Sequence, residues 1–335
     1  MKNPAAPIAV IGSNSISGAF FVRHCLEAGH RVVGLSRGAE LPPCFLPYRW
    51  LEHGNAGNFR FVQADLNKDL DLLMGTIREE RPAFVVNFAA QSMVAESWTH
   101  PEHWYQTNIV ANVRLHDELR KLDFLERYVH ISTPEVYGSC SGNVTESQAF
   151  NPSTPYAASR AGCDLHLSTV FKQDGFPVVF TRAANVYGPG QQLYRIIPRT
   201  IMAVLTGEKL QLHGGGHSVR AFIHLDDVAD ATFRAMRDGT PGEAYHISTD
   251  RFVSIRDLVA MVCERMGSTF GENVEVVGDR PGKDAAYLLD SGKCRSVLGW
   301  RDSVSLENGI DQVIDWARRW EKELRLQPLK YIHKP

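Results

Sequence analysis

Short apolar runs recur along the first two-thirds of the chain, and between most of them the apolar positions change to a helical spacing. The runs are Ile8-Ala9-Val10-Ile11, Arg31 to Leu35, Phe59 to Val62, Phe84 to Phe88, Tyr128 to Ser132, Val178 to Thr181 and Ala244 to Ile247. The first helical pattern covers Gly18 to Ala28. This alternation predicts an α/β fold, a doubly wound parallel sheet covered by helices on both faces. The stretch 37–58 is rich in Pro and Gly and reads as a long surface loop. From Pro189 the alternation loosens, and Leu212-His213-Gly214-Gly215-Gly216-His217-Ser218-Val219-Arg220 interrupts it. We therefore expect one domain from residues 1–188 with about 222–250. A smaller C-terminal α/β lobe would be built from 189–221 with about 251–335. A last helix over about 305–322 places Trp316 and Trp320 on one packed face.

Charge narrows the partners. With 36 Lys and Arg against 38 Asp and Glu, the net charge of -2 argues against a nucleic-acid surface or a polybasic membrane contact. A small polar ligand fits better. Six scattered cysteines without a Cys-x-x-Cys pair argue against zinc knuckles and a disulfide framework. The chain enters its first apolar run without a basic segment and a long apolar one, and no stretch reaches the roughly 18 apolar residues of a membrane span. The expected location is the cytoplasm.

Candidate chemistry lies in three places. Gly12-Ser13-Asn14-Ser15-Ile16-Ser17-Gly18 falls where the first strand turns into the first helix, where backbone amides and a helix N-terminus hold a pyrophosphate. Its binding candidates are Gly12, Asn14, Ser15, Ile16 and Gly18. The second strand ends in Ser36-Arg37 with no acidic residue, so Arg37 would neutralise a 2'-phosphate and NADP is placed ahead of NAD. Finally, Ser132-Thr133-Pro134-Glu135-Val136-Tyr137-Gly138 precedes Tyr156-Ala157-Ala158-Ser159-Arg160. Arg160 follows Tyr156 by one helical turn, and a fixed cation there lowers the phenol from its usual pKa of about 10, fitting it to act as a base. His213 and His217 flank three glycines but make too small a ligand set, and no metal is assigned.

These motifs resemble the extended short-chain dehydrogenases/reductases, whose usual patterns are Tyr-x-x-x-Lys and Gly-x-x-Gly-x-x-Gly; here Arg160 and Ser15 replace a lysine and a glycine. The ordered series His130 to Gly138, Asn151-Pro152-Ser153-Thr154-Pro155-Tyr156 and Asn185-Val186-Tyr187-Gly188-Pro189 is similar to the nucleotide-sugar epimerases and dehydratases. The closest resemblance is to GDP-mannose and dTDP-glucose 4,6-dehydratases. It implies a Rossmann sheet with a tightly held dinucleotide contacted also by Asp65, Leu66, Ala89, Ala90 and Gln91, with Asn108 shaping a helix beside the tyrosine. Ser92, Asn185, Arg220 and Arg280 would bind a nucleotide-diphosphate sugar, with GDP placed first from Ala89-Ala90-Gln91-Ser92.

The resemblance also implies a reaction. Tyr156 takes the C4 hydroxyl proton as a hydride leaves C4. Glu135 removes the C5 proton that the new ketone has acidified and delivers it to the departing C6 oxygen, since Pro134 supplies no second acid. Thr133 hydrogen-bonds the C4 oxygen, and Arg160 supplies the lysine's charge. Two alternatives remain open: an epimerase using transient C4 oxidation, and a catalytically silent dinucleotide-binding protein, which the departures at Ser15, Pro134 and Arg160 would suit. A homodimer packing the helices after Pro101 and Pro155 is expected from the same resemblance.

Overall fold

The computed structural model describes residues 6–51, 56–140, 142–147, 149–278 and 288–334. All seven apolar runs become strands of one sheet: β1 (Ile8–Ile11), β2 (Val32–Ser36), β3 (Phe59–Gln63), β4 (Phe84–Asn87), β5 (Arg127–Ile131), β6 (Val178–Ala183) and β7 (Ala244–Ile247). Their order is β7-β6-β5-β4-β1-β2-β3, with every neighbouring pair parallel. The chain reverses direction across the sheet between β1 and β4, the switch point where ligands of such sheets bind.

Alternation along β1 shows why the runs are continuously apolar. Ile8 and Val10 join a core with Phe21, Val22, Leu26 and Phe233, while Ala9 and Ile11 join the opposite core with Leu73, Ile77, Leu115 and Leu167. A strand buried on both faces has no polar side to show. The helices that cover the sheet are α1 (Ile16–Glu27), α2 (Leu70–Glu80), α3 (Pro101–Tyr105), α4 (Asn112–Leu119), α5 (Pro155–Asp174) and, beyond a helix of the second lobe, α6 (Ile196–Thr206), also α7 (Leu225–Asp238). Between α3 and α4 the helix widens into a π turn, Gln106–Ala111. Helix α5 begins at Thr154, whose hydroxyl accepts from the Ala157 amide at 3.1 Å, and Pro155 sits at its first position. Gly175 ends it in the left-handed conformation, φ 66°.

The second core gathers Tyr187, Ile197 and Ile201 with Leu258 and Val262 of α8 (Ile255–Arg265) and Ile310, Val313 and Trp316 of α9 (Leu306–Arg319). Strand Val219–His224 pairs with Asn185–Tyr187 and Phe252–Ser254 in a separate three-stranded sheet. The expected surface loop departs from its reading here. Cys44, Phe45, Leu46 and Tyr48 are buried, and the Trp316 indole donates to the Cys44 carbonyl at 2.7 Å. Two proline-initiated turns, Pro43–Phe45 and Pro47–Trp50, fold the stretch inward so that it bridges the cores.

Under the C-terminal ends of β5, β6 and β7 lies a buried polar seam. Asp164 accepts from Arg182 at 2.8 Å and from the Ser132 hydroxyl at 2.6 Å, and faces His130 at 3.5 Å. Arg182 donates to the Tyr137 hydroxyl at 2.8 Å, which stands 2.8 Å from His246 Nε2. The other ring nitrogen of His246 faces only the carbonyls of Val144 and Asp290, both at 3.2 Å, so Nδ1 carries the proton and Nε2 accepts. Burial, reinforced by Arg182, pushes the His246 pKa down to about 3. Burial also lowers His116 and His130 well below the ordinary value.

These neutral histidines make the fold acid-sensitive. An unfolded chain protonates His246 near 6.5 and the folded one only near 3, so between those values the unfolded state binds more protons. The stabilisation is complete above the unfolded pKa and falls as pH drops through this window, by up to about 1.4 kcal/mol per pH unit per histidine. Urea midpoints should therefore fall between about pH 7.5 and about pH 5.5, and the fall should be shallower in His246→Leu. Equal slopes in the two proteins would refute this assignment.

Candidate active site

The turn from β1 into α1 shows which of the expected glycines are required. Gly12 has φ 83°, and a Cβ there would lie 2.6 Å from the Ala89 nitrogen. A Cβ at Gly18 would meet the Gly12 carbonyl at 2.3 Å. Ser15 stands at an ordinary φ of -69° and needs no glycine. Its hydroxyl donates to the Gly12 carbonyl at 2.7 Å and accepts from the Gly18 amide at 3.1 Å, capping α1. The serine closes the turn without displacing it. Ile16, the first residue of α1, is buried, and Asn14 is tied to the exit of β2 through the Ser36 hydroxyl at 3.0 Å and the carbonyls of Gly38 and Ala39 at 3.1 and 2.9 Å. The α1 N-terminus with its close-approach glycines fits a dinucleotide pyrophosphate.

The rest of the expected cofactor wall is rigidly built. Ala89 donates its amide to Asn87 Oδ1 at 2.9 Å, and Ala90 follows. Gln91 is clamped on both backbone groups by Asn108, its amide donating to Oδ1 at 2.8 Å and its carbonyl accepting from Nδ2 at 3.0 Å. The Asn108 amide nitrogen also donates to the Ser159 hydroxyl at 2.9 Å, joining this wall to the catalytic helix. Asp65 Oδ1 accepts the Asn67 amide at 2.9 Å, beside buried Leu66. Arg37 is exposed, and its guanidinium donates to the Lys334 carbonyl at 3.1 Å.

Thr133, Glu135 and Tyr156 come together at the end of β5. Thr133 leads a one-turn 3-10 helix, Pro134–Tyr137, with its hydroxyl accepting from the Glu135 amide at 3.3 Å. Pro134 occupies the first position of that turn, where a missing N–H and a fixed φ suit the geometry. Tyr156 is nearly buried, its amide donates to the Ser97 hydroxyl at 3.2 Å, and its phenol is hydrogen-bonded with the Thr133 side chain.

The electrostatics depart from expectation. Burial raises the Tyr156 pKa, the Glu135 charge raises it further, and Arg160 with the Thr133 hydrogen bond only partly offsets them. The reason is where Arg160 points. It is 2 % exposed, and its guanidinium donates to the Ile131 carbonyl and to His130 Nε2, the latter at 3.2 Å. Its cation is anchored on β5 rather than directed at the phenol. The chain thus holds a protonated phenol next to a carboxylate.

The remaining candidates sit apart. Asn185 and Arg220 lie on the separate three-stranded sheet, with the Asn185 backbone paired to Phe222 and an Arg220 guanidinium donating to the Val219 carbonyl at 2.9 Å. Ser92 is exposed just beyond the Gln91 clamp. Arg280 lies outside the described residues. The sequence did not single out Arg195, whose charge lowers the phenol pKa of Tyr156 and of Tyr194, or Glu96, which acts on Tyr194 and Tyr331. Glu96 sits in a one-turn 3-10 helix, Ala95–Trp98, and Arg195 immediately before α6, neither within a motif, so only their placement in space reveals them. Among the described residues two clusters have metal-ligand spacing, His116/His130/Cys163 and His100/Glu102/His103. In the first, burial pushes the Cys163 thiol up to about 12 and His116 is engaged with the Tyr128 hydroxyl at 3.0 Å, so we assign it no metal.

Comparison with known proteins gives the family. The family model described as GDP-mannose 4,6 dehydratase matches residues 10–313. A dTDP-glucose 4,6-dehydratase of Streptomyces antibioticus is 33 % identical over 332 residues, covering 96 % of both chains. A trifunctional UDP-glucose 4,6-dehydratase, epimerase and reductase of Arabidopsis thaliana is 32 % identical over 264 residues, which are 77 % of this chain. That match covers only 39 % of the plant protein's length. The crystal structure of a dTDP-glucose 4,6-dehydratase from Streptomyces venezuelae with NAD bound has a TM-score of 0.86, is 32 % identical, and covers 97 % of this chain and 100 % of its own. Among the described residues no helix is long and apolar enough to cross a membrane. With the family model spanning most of the chain, the protein belongs to the GDP-mannose 4,6-dehydratase family of the extended short-chain dehydrogenases/reductases.

Proposed function

We propose that the protein is a nucleotide-hexose 4,6-dehydratase, forming an NDP-4-keto-6-deoxy sugar. The observation that carries the reading is the convergence of Thr133, Glu135 and Tyr156 at the end of β5, beside a turn fitted to a dinucleotide. Bound at this turn, a nicotinamide dinucleotide would supply the acceptor for the C4 hydride and its donor to C6, where the enolate left at C5 takes a proton from solvent as Tyr156 gives one up. Tyr156 takes the C4 hydroxyl proton in its phenolate form, the form that Arg160 and the Thr133 hydrogen bond favour against burial and Glu135. Glu135 removes the C5 proton and passes it to the C6 oxygen, which leaves as water. The sugar nucleotide would lie between the main-sheet lobe, residues 1–188 with about 222–250, which carries Asn185, and the lobe that bears Arg220.

Two finer expectations change weight. Arg37 alone favours NADP, yet its guanidinium is already engaged by the Lys334 carbonyl and the Streptomyces venezuelae structure holds NAD, so we place NAD first. The relatives are dehydratases of dTDP-glucose and UDP-glucose, so a thymidine or uridine diphosphate hexose is placed ahead of a GDP sugar. A homodimer accords with Tyr105, Val110 and Leu165, large apolar side chains exposed on α3, the π turn and α5.

Glu135→Gln separates the half-reactions. It removes the base for C5, and it also removes a charge that raises the Tyr156 pKa. Incubated in deuterated water with a panel of dTDP-, UDP-, GDP- and CDP-hexoses, the native protein should release one water and place deuterium at C5. The variant should build up reduced nicotinamide without water loss, with the pH midpoint of that oxidation moved lower. An unchanged product mass with inverted stereochemistry would establish an epimerase instead. Bound dinucleotide with no conversion would establish a silent binder.

Arg160→Met should lower kcat/KM by about a hundredfold and move the Tyr156 titration upward, because the variant loses a cation that favours phenolate. Arg160→Lys keeps the charge and should stay within about tenfold of the native rate. Equal losses in both would show that the guanidinium's two hydrogen bonds, not its charge, are what matters. For the dimer, Val110→Asp with Leu165→Asp should give monomers by light scattering; a persistent dimer would place the interface elsewhere.

A further inference from the structure

After the last short helix the chain runs back across the first domain. Tyr331 packs edge-on against Tyr194 of the second lobe, with ring centroids 5.4 Å apart. His333 stacks on the fully buried Trp104 at 5.1 Å, and its Nε2 lies 2.8 Å from His103 Nδ1. The Lys334 carbonyl accepts two hydrogen bonds, from Gln91 Nε2 at 2.6 Å and from Arg37 at 3.1 Å. Ile332 and Lys334 face outward while Tyr331 and His333 are half-buried, the alternation of an extended strand laid on a surface.

The sheet order gives these contacts meaning. Gln91 follows β4 and Arg37 follows β2, and in the sheet β4 and β2 flank β1. A single carbonyl bonded to both therefore spans the exit of β1, where the Gly12–Gly18 turn presents α1's N-terminus. The carbonyl also occupies a donor of Arg37, the side chain a 2'-phosphate would need.

We propose that Tyr331–Lys334 is a strap closing the mouth of the dinucleotide site, and that the Lys334 carbonyl biases that site towards NAD by engaging Arg37. The inference rests on reading the Gly12–Gly18 turn as the dinucleotide site. A bound dinucleotide cannot leave along this edge until the Gln91 and Arg37 bonds to the strap break. A 2'-phosphate must displace the carbonyl from Arg37 or share the guanidinium with it, whereas a free 2'-hydroxyl need not.

The test compares the full chain with one ending at Lys330 and with the double variant Tyr331→Ala/His333→Ala, after thermal melts have shown that all three are folded. Loss of bound dinucleotide is followed during a chase with excess unlabelled dinucleotide, and NAD and NADP affinities are measured by calorimetry without any sugar. The shortened chain should lose dinucleotide about tenfold faster, and its NADP-to-NAD affinity ratio should rise about fivefold, the scale of one or two hydrogen bonds. The double variant should show the faster loss, since it removes the aromatic anchors that hold the strap down. Tighter binding of both dinucleotides on shortening would overturn the proposal, because it would make the segment a competitor. Unchanged release and an unchanged ratio would overturn the strap while leaving the dinucleotide reading intact. Failure of all three chains to bind either dinucleotide would remove both.

Discussion

The site depends on how one buried carboxylate is shared. Asp164 is almost fully enclosed and stands among Arg182, the Ser132 hydroxyl and His130, whose Nε2 it shares with Arg160. Burying an ion costs several kcal/mol unless its partners are close and well oriented. Here the anion pairs with Arg182, and the second guanidinium, Arg160, donates instead to a backbone carbonyl and a neutral ring. The catalytic turn begins at Ser132, one of the Asp164 donors. Its position is therefore fixed from below by the seam and from the side by the Thr133 cap.

Departures from the usual family motifs read differently once local geometry is known. Ser15 and Pro134 suit the conformations they occupy: one residue caps a helix at an ordinary φ and the other opens a short turn at the position that favours proline. Neither weakens the case for an active enzyme. Arg160 is another matter, because its longer, forked side chain reaches past the position of a compact ammonium and fastens onto β5. The phenol then sits in a field set as much by Glu135 as by any cation.

Much of this was legible from the chain alone. Seven apolar runs became seven strands because a parallel sheet covered on both faces leaves its strands no polar alternation to blur the signal. The glycine turn was legible because it depends on spacing within a short stretch, and the Thr133/Glu135/Tyr156 grouping because its motifs resemble those of a known family. The direction of Arg160 was not, since spacing places a side chain on a helix face but cannot say which acceptor wins it. The inward fold of residues 43–50 was hidden by proline content that resembles a surface loop. The strap's contacts join residues 243 and 297 positions apart, beyond the reach of any local pattern.

The π turn at Gln106–Ala111 has a consequence for how this wall of the site can vary. Each residue in an α-helix advances the side-chain direction by about 100°, so a widened turn resets the phase between the segments on either side of it. Trp104 before the turn and Leu115 after it are both fully buried, while Asn108 within it is free to face Gln91 and Ser159. The two flanking segments behave as separately indexed gears joined by a clutch. A residue added to or lost from the turn would rotate Trp104 against Leu115 and draw one of them out of the core, so this wall tolerates exchanged side chains but not a changed length.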